Sequence, residues 1–119
     1  EHWYTEFERV EKGVEACRKG DIEVFGKLVF ESGRSSIYNW ETGSPKLIKL
    51  YEIMTQTDGI YGGRFSGAGF KGCCMALIDP DFEESILEKV KREYLRAFPN
   101  LEGKYSAHIC HSADGVKLR

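Results

Sequence analysis

Apolar residues recur at every third or fourth position through the first half of the chain, and this spacing predicts three helices. Each predicted helix lies between a capping residue and a stop signal: Thr5 to Gly20, Asp21 to Gly33, and Ser44-Pro45 to Asp58-Gly59. Thr5 and Glu8 fit a capping box, although Trp3 also fits the first apolar face and allows an earlier start. The buried faces are predicted to carry Phe7, Val10, Val14 and Cys17, then Ile22, Phe25, Leu28 and Val29, then Leu47, Leu50, Tyr51 and Met54.

From Ile60 the pattern changes to short apolar segments separated by turn residues, which is typical of strands. The predicted strands cover residues 60–65, 73–78, 105–111 and 116–118, and the second is expected to be fully buried. A fourth helix starts at Asp81 and ends before Pro99, with an apolar inner face. Helices separated along the chain from an antiparallel sheet predict a two-layer α+β fold, with the helices on one face of the sheet. The stretch from residue 60 onward resembles a split βαβ, ferredoxin-like unit.

Length and charge narrow the function classes. The chain has 119 residues, which is enough for one domain and too few for two, so residues 1–119 are taken as a single domain. A net charge of −2 provides no overall field for nucleic acid or an anionic membrane, and no apolar run is long enough to span a bilayer. The four cysteines are expected to be reduced, which indicates a cytosolic protein, and Cys73 and Cys74 are expected to lie in the core.

The segment 62–73 carries the clearest chemical signal, because five of its twelve residues are glycine. Glycines at this density indicate a backbone that approaches a ligand closely or adopts φ > 0, and their successive amides can bind an anion. Residues 67–72 match a G-x-G-x-x-G pattern, but a strand-like run follows instead of the helix that dinucleotide binding requires. A P-loop is also excluded, since no Gly-Lys-Ser or Gly-Lys-Thr is present.

The same segment resembles the third motif of the GHMP kinases, the superfamily of galactokinase, homoserine kinase, mevalonate kinase and phosphomevalonate kinase. The resemblance covers essentially the whole chain and is carried by short matches on both sides: Gly20-Asp21, Phe25-Gly26-Lys27-Leu28, Glu31-Ser32, Glu41, Ser44-Pro45-Lys46-Leu47 and Ser112-Ala113-Asp114-Gly115-Val116. On these residues the chain looks like the C-terminal domain of a galactokinase-like member.

This resemblance implies transfer of the γ-phosphate of ATP to a sugar hydroxyl, with Mg²⁺. The implied phosphate or substrate cleft residues are Gly63, Arg64, Ser66, Gly67, Ala68, Gly69 and Gly72. The family's sugar-binding motif, ATP-binding loop and catalytic Asp belong to an N-terminal domain and do not occur in these residues. We therefore expect no catalytic residue in this chain and no activity from it in isolation. ATP and Mg²⁺ are expected to be bound mainly by that N-terminal domain, which is the expected partner.

Departures from the family pattern leave the sugar open. Phe65-Ser66 stands where galactokinases commonly have Met-Thr, Lys71 replaces a usual glycine, and Gly33 stands where a histidine is common. Galactose is the leading substrate, and a uronic acid, arabinose or another sugar are the alternatives. Two non-catalytic hypotheses also remain: a ferredoxin-like ligand-binding or regulatory module, and a regulator that binds sugar and ATP without turnover. RNA binding is disfavoured because the predicted strands lack interleaved aromatic and basic residues.

Several candidate residues also have ordinary structural explanations. For Arg64 a cross-strand salt bridge is favoured over ligand contact, and for Lys71 a solvated loop position is equally consistent. His108 and Cys110 share a predicted strand face, but a zinc site is disfavoured because no C-x-x-C partner exists. Tyr38 and Trp40 either line a cleft or domain interface or, more commonly for such residues, pack beneath a loop.

Overall fold

The computed structural model describes residues 1–118 and contains four α-helices and one two-stranded sheet. The elements in chain order are α1 His2–Lys19, α2 Ile22–Tyr38, α3 Pro45–Thr55, β1 Ile60–Phe65, β2 Cys74–Ile78 and α4 Glu83–Ala97, with 3-10 turns at Pro80–Phe82 and Pro99–Leu101. This content confirms the predicted α+β class. Among the described residues, no helix has both the length and the apolar character needed to cross a bilayer.

Helix boundaries follow the capping chemistry at most ends. The Asp21 side chain accepts from the Val24 amide at 3.1 Å, and the Ser44 hydroxyl accepts from the Leu47 amide at 3.3 Å. Gly20 ends α1 with a left-handed φ of 69°. The predicted starts of α2 and α3 and the predicted end of α1 are therefore confirmed.

Two predicted helix boundaries are wrong. The first helix begins at His2, and Thr5 donates its hydroxyl to the carbonyl oxygens of Glu1 and His2, so no capping box forms there. The second helix continues through Gly33 to Tyr38. A Cβ at Gly33 would lie 2.6 Å from the Tyr51 ring, so this glycine serves close contact between α2 and α3 and does not act as a stop.

β1 pairs with β2 in antiparallel register from Phe65 opposite Cys74 to Ile60 opposite Ile78, with an irregularity between Ile60 and Gly62. Successive positions of β1 face different helices. At Gly62 an added Cβ would collide with the Gly26 backbone of α2, whereas at Gly63 it would lie 2.9 Å from the Met54 side chain of α3. The helix α2 can therefore approach β1 only because both facing residues are glycine.

The core consists of two neighbouring clusters. One joins α3 to the end of β1 through Leu47, Tyr51, Met54 and Phe65. The other joins α3 to α4 through Ile53, Ile86, Val90 and Tyr94. The apolar faces predicted for α3 and α4 are thus confirmed at these buried positions. The Tyr51 hydroxyl also donates to the Phe30 carbonyl at 2.6 Å, which fastens α2 to α3.

The prediction for β2 and the end of the chain is wrong in two respects. β2 is not fully buried: Met75 is 60% exposed and Cys73, just before the strand, is also exposed. Residues 105–111 and 116–118 form no strand. A strand exists only when its backbone is paired, and within residues 1–118 the outer edge of β2 has no partner strand. The alternating apolar pattern at 105–111 alone therefore does not produce a strand.

The apolar face predicted for α1 is also not buried. The buried residues of α1 are Gly13 and Ala16, which face α2. We refer to Trp3, Phe7, Val10, Val14 and Cys17 as the α1 stripe, and all five are exposed. The periodicity correctly identified a helix, but the side of the helix that contacts the rest of the domain is a different one.

Candidate functional site: the loop between β1 and β2

The glycine-rich segment forms a closed loop at the end of the β1–β2 hairpin. The Ser66 amide donates to the Cys73 carbonyl at 2.9 Å, so residues 67–72 project beyond the last ladder bond. Gly67, Gly69 and Gly72 have φ values of 77°, 79° and 99°. Side-chain-bearing residues rarely adopt this region, so the loop path requires glycine at these positions.

One side of the loop is fixed by Phe65, whose side chain is 1% exposed. Its ring lies between Gly43, where a Cβ would be 2.6 Å away, and Gly69, where a Cβ would collide with the ring. The Ser44 amide also donates to the Gly69 carbonyl at 2.7 Å. The loop is therefore anchored on the connection between α2 and α3.

The other side of the loop is open. Ser66, Gly67, Ala68 and Gly72 are exposed, and a Cβ at Gly67 would meet no atom within 4 Å. Within residues 1–118, the amides of residues 67–68 and 70–72 donate no hydrogen bond to another protein group. Free backbone amides on a curved, glycine-rich path are the donors that an anion-binding nest uses.

Gly63 and Arg64 lie in β1, away from this open side. Gly63 is buried against Met54. The Arg64 guanidinium donates to the hydroxyls of Ser32 and Ser36 on α2, and it lies 3.6 Å from the Glu6 carboxylate on α1. The favoured salt bridge exists, but its partner is on a helix and not on the neighbouring strand.

Glu6 is the centre of a polar network that the sequence patterns did not reveal. Its carboxylate accepts from the Ser32 hydroxyl at 2.6 Å and from Arg9 at 2.8 Å. Burial acts to raise the pKa of Glu6, but the Ser32 hydrogen bond and the charges of Arg9 and Arg64 outweigh it and leave the pKa lowered. The only sequence signal was a pair of charged residues, Glu6 and Arg9, adjoining the apolar face of α1.

Two aromatic residues lie at the start of the connection between α2 and α3, which anchors the loop. Tyr38 and Trp40 are both exposed, Trp40 at 57%, so neither is packed beneath a loop. His2 holds Trp40 by an edge contact, with 5.3 Å between the ring centroids. Glu41 follows Trp40 and has a φ of 56°. Among residues 1–118 it is the one non-glycine residue with a positive φ.

The potential metal ligands of the chain do not converge. Across residues 1–118, no group of three or more His, Cys, Asp or Glu side chains is placed to hold a metal ion. The four cysteines are free thiols, and burial raises the pKa of Cys74 to about 12. The chemistry available at the open loop is therefore hydrogen bonding from backbone amides and the Ser66 hydroxyl.

Comparison with known proteins identifies the family of this chain. The family model described as "GHMP kinases C terminal" matches residues 14–97, which include α2 to α4, both strands and the loop. The chain belongs to this family. The predicted galactokinase-like, GHMP kinase C-terminal fold is thereby confirmed.

Individual relatives point to sugar kinases. A galacturonokinase of Arabidopsis thaliana is 46% identical over 99% of this chain and 29% of its own length. A galactokinase of Homo sapiens is 30% identical over 98% of this chain and 28% of its own length. The crystal structure of Lactococcus lactis galactokinase complexed with galactose superposes with a TM-score of 0.72 at 28% identity, over 77% of this chain and 24% of that one. The chain thus spans less than a third of the relatives' length, and the comparisons do not favour a non-catalytic module.

Proposed function

We propose that this chain is the C-terminal domain of an ATP-dependent sugar kinase and that its glycine-rich loop contacts the transferring phosphate. The observation that carries the proposal is the open face of the loop, where free amides of residues 67–68 and 70–72 adjoin the exposed Ser66 hydroxyl. Phosphoryl transfer depends chiefly on positioned donors that stabilise charge on the phosphate oxygens. The family match to residues 14–97 supports the reaction class.

The exposed backbone amides of the loop are suitable donors for a phosphate group. A nest of amides binds oxygen anions without a cationic side chain, and Gly67, Gly69 and Gly72 provide the positive φ values that such a curved backbone path uses. ATP supplies the phosphoryl group when it is bound. In this arrangement the amides near Gly67 and Gly72 and the hydroxyl of Ser66 hold phosphate oxygens, and Ala68 leaves the approach free of bulk.

The remaining candidate residues act through the position of the loop. Gly69 lets the Phe65 ring close against the loop, and Gly63 lets β1 pack on Met54. Arg64 ties the end of β1 to α1 and α2, and its Nε donates to the Phe65 carbonyl at 3.1 Å, immediately before the loop. We assign Gly63, Arg64 and Gly69 as positioning residues and Ser66, Gly67, Ala68 and Gly72 as the phosphate-contacting set.

The sugar substrate we propose is a hexuronic acid of the galacturonate type. The support is the 46% identity to the galacturonokinase, compared with 30% to the human galactokinase over nearly the same residues. The exposed Tyr38 and Trp40 provide aromatic faces beside the loop's anchor, and an aromatic face packs on the apolar side of a sugar ring. Galactose is the alternative substrate, and a kinase assay compares the two sugars directly.

The rest of the reaction requires polypeptide beyond these residues. We assign Mg²⁺ and most contacts to ATP to an N-terminal kinase domain, as the resemblance to the GHMP kinases implies. We propose that domain as the partner of this one and the cytoplasm as the location of the enzyme. The isolated 119-residue chain is expected to be inactive.

The test is a kinase assay on the full-length polypeptide with galacturonate, galactose and arabinose as acceptors. Ser66→Ala is expected to lower kcat/KM by about 10-fold or more, because a donor to the phosphate oxygens is lost. Ser85→Ala, an exposed serine on α4, serves as the matched control. Full activity of Ser66→Ala would contradict the phosphate role of the loop, and the absence of any sugar phosphorylation would contradict the kinase assignment.

A further inference from the structure

The α1 stripe is an unusual surface for a domain of this size. Trp3 is 74% exposed and Val10 is 57% exposed. Phe7, between them in the chain, and Val14, one turn after Val10, are also exposed. The five stripe residues are separated by four, three, four and three positions, which is the a/d spacing of a helix seam. A seam of this kind is normally covered by another helix, because contiguous exposed apolar surface marks an interaction site.

A groove runs beside the stripe and widens the apolar surface. It has a volume of about 440 Å³ and is lined on the α2 side by Phe25, Leu28 and Val29. Gly13 brings the two helices close together, since a Cβ there would lie 3.5 Å from the Phe25 ring. Val10, Val14 and Cys17 belong both to the stripe and to the groove wall. Two helices with apolar side chains on both walls of a groove form the usual seat for a third amphipathic helix.

Charge argues against a second copy of this chain as the occupant. With the stripe at a and d positions, the charged flanking residues are Glu6 at g and Glu11 and Arg18 at e. Glu6 is already paired with Arg9 and Arg64 of its own chain. Parallel pairing of two α1 helices would place Arg18 beside Gly13 and Glu11 beside the already paired Glu6 of the other copy, so no opposite charges would meet. Antiparallel pairing with full overlap would place Glu11 beside its counterpart and Arg18 beside Tyr4. Like charges at these positions oppose association. A helix with lysine or arginine beside Glu11 would instead be attracted.

We propose that the α1 stripe and its groove receive an amphipathic helix from another part of the same polypeptide, with basic residues facing Glu11. The inference rests on the proposed function, in which this domain is one part of a longer kinase. Two further observations favour this occupant. The chain equals 29% of the length of the Arabidopsis relative, so relatives carry much more polypeptide than this domain. The match to the Arabidopsis galacturonokinase covers 99% of this chain, so the segment that carries the stripe is part of that longer relative as well.

Cys17 provides a direct probe, because it is an exposed thiol at one end of the stripe. Maleimide labelling of Cys17, followed by peptide mass spectrometry, is compared between the 119-residue chain and the full-length polypeptide. The control is Lys12→Cys, at an exposed position of α1 that is not part of the stripe. We expect the labelling rate of Cys17 to fall at least 10-fold in the full-length polypeptide and that of Lys12→Cys to stay within about twofold. Equal labelling of Cys17 in both would overturn the proposal.

A second pair of variants tests the same surface through melting temperatures, independently of Cys17 labelling. Val10→Asp should lower the melting temperature of the full-length polypeptide and leave that of the 119-residue chain unchanged, whereas Lys12→Asp should leave both unchanged. A dimer of the isolated chain in which Cys17 is already protected would show that a second copy occupies the stripe, contrary to the proposal. Kinase activity is measured on the same samples. Activity with a freely labelled Cys17 overturns the docking alone, and a protected Cys17 without activity overturns the kinase assignment alone.

Discussion

The strand β1 and the loop that follows it use the same residue for opposite purposes. In β1, glycine removes a side chain so that another element can come close: Gly62 meets the backbone of α2, and Gly63 meets Met54 of α3. In the loop, Gly67 meets nothing and is required by its φ of 77°. The high glycine content of this segment therefore has two causes: close packing in β1 and positive φ values in the loop.

The two regions meet at Phe65 and Gly69. Gly69 has both properties, since its φ is 79° and a Cβ on it would collide with the Phe65 ring. The buried end of the strand thus sets the position of the exposed loop. A site held in this way has a rigid base and an accessible surface, which is the arrangement that preorganised binding requires.

The largest effect is expected where the two regions meet. Phe65→Ala removes a ring that is 1% exposed, and we expect a loss of about 3–5 kcal/mol in the free energy of unfolding. Loop amides 67–72 should exchange hydrogen faster as the anchor is lost. Chemical denaturation and hydrogen exchange measure the two effects. Phe70→Ala, at an exposed phenylalanine of the loop, is the matched control and should change stability little. Similar losses for both variants would contradict the anchoring role of Phe65.

The next effect tests the packing role of the strand glycines. Gly62→Ala places a Cβ against the Gly26 backbone, which no side-chain rotation can relieve, so a loss of about 3 kcal/mol is expected. Thermal denaturation should show a clear fall in melting temperature. Gly115→Ala, where an added Cβ meets nothing, should melt like the unmodified chain. A stable Gly62→Ala variant would mean that α2 and β1 lie farther apart.

A smaller effect is expected from a glycine of the open loop. Gly67→Ala meets no neighbour but must keep a positive φ, which costs about 1 kcal/mol. In the full-length polypeptide we expect kcat/KM to fall by more than this strain accounts for, because the amide would move away from the phosphate oxygens that we propose it binds. Gly103→Ala is the matched control, because Gly103 lies outside the loop, has a φ of 81° and would also meet no atom within 4 Å of an added Cβ. If Gly67→Ala destabilised the chain as strongly as Gly62→Ala, the loop would be packed like the strand.

The smallest effect is expected from the ion pair between Glu6 of α1 and Arg64 of β1. The pKa of Glu6 is lowered from 4.5 in the folded chain, so the protonated carboxyl is favoured in the unfolded state. Its contribution is therefore present above about pH 4.5 and is lost as the pH falls through the lower folded-state value. Since Glu6 and Arg64 are 28% and 29% exposed, the effect should remain below about 1 kcal/mol.

The measurement for Glu6 is the difference in unfolding free energy between the unmodified chain and Glu6→Gln, taken at pH 7 and at pH 3.5. The difference should shrink at the lower pH, because the unmodified carboxyl is then partly neutral as well. Glu88→Gln on α4 is the control, since Glu88 is paired only at the surface with Arg92. A difference that grows toward low pH would reverse the sign of the argument.

Local patterns determined much of this protein. Helix periodicity with Asp21, Ser44 and Pro45 located the starts of α2 and α3, because capping is a contact between residues three apart. Glycine density located the loop, and the residues quoted for the resemblance identified the family. These signals are contained in a few neighbouring residues and need no knowledge of the fold.

Tertiary contacts decided the remainder. Whether 105–111 becomes a strand depends on a partner strand, and which side of α1 is covered depends on where α2 lies. Gly33 resembles a helix stop until Tyr51 of another helix is seen against it. Arg64 joins Glu6, 58 positions earlier, and so leaves the open loop to Ser66 and its neighbours. Contacts between residues far apart in the chain set these outcomes, and single-chain periodicity carries no information about them.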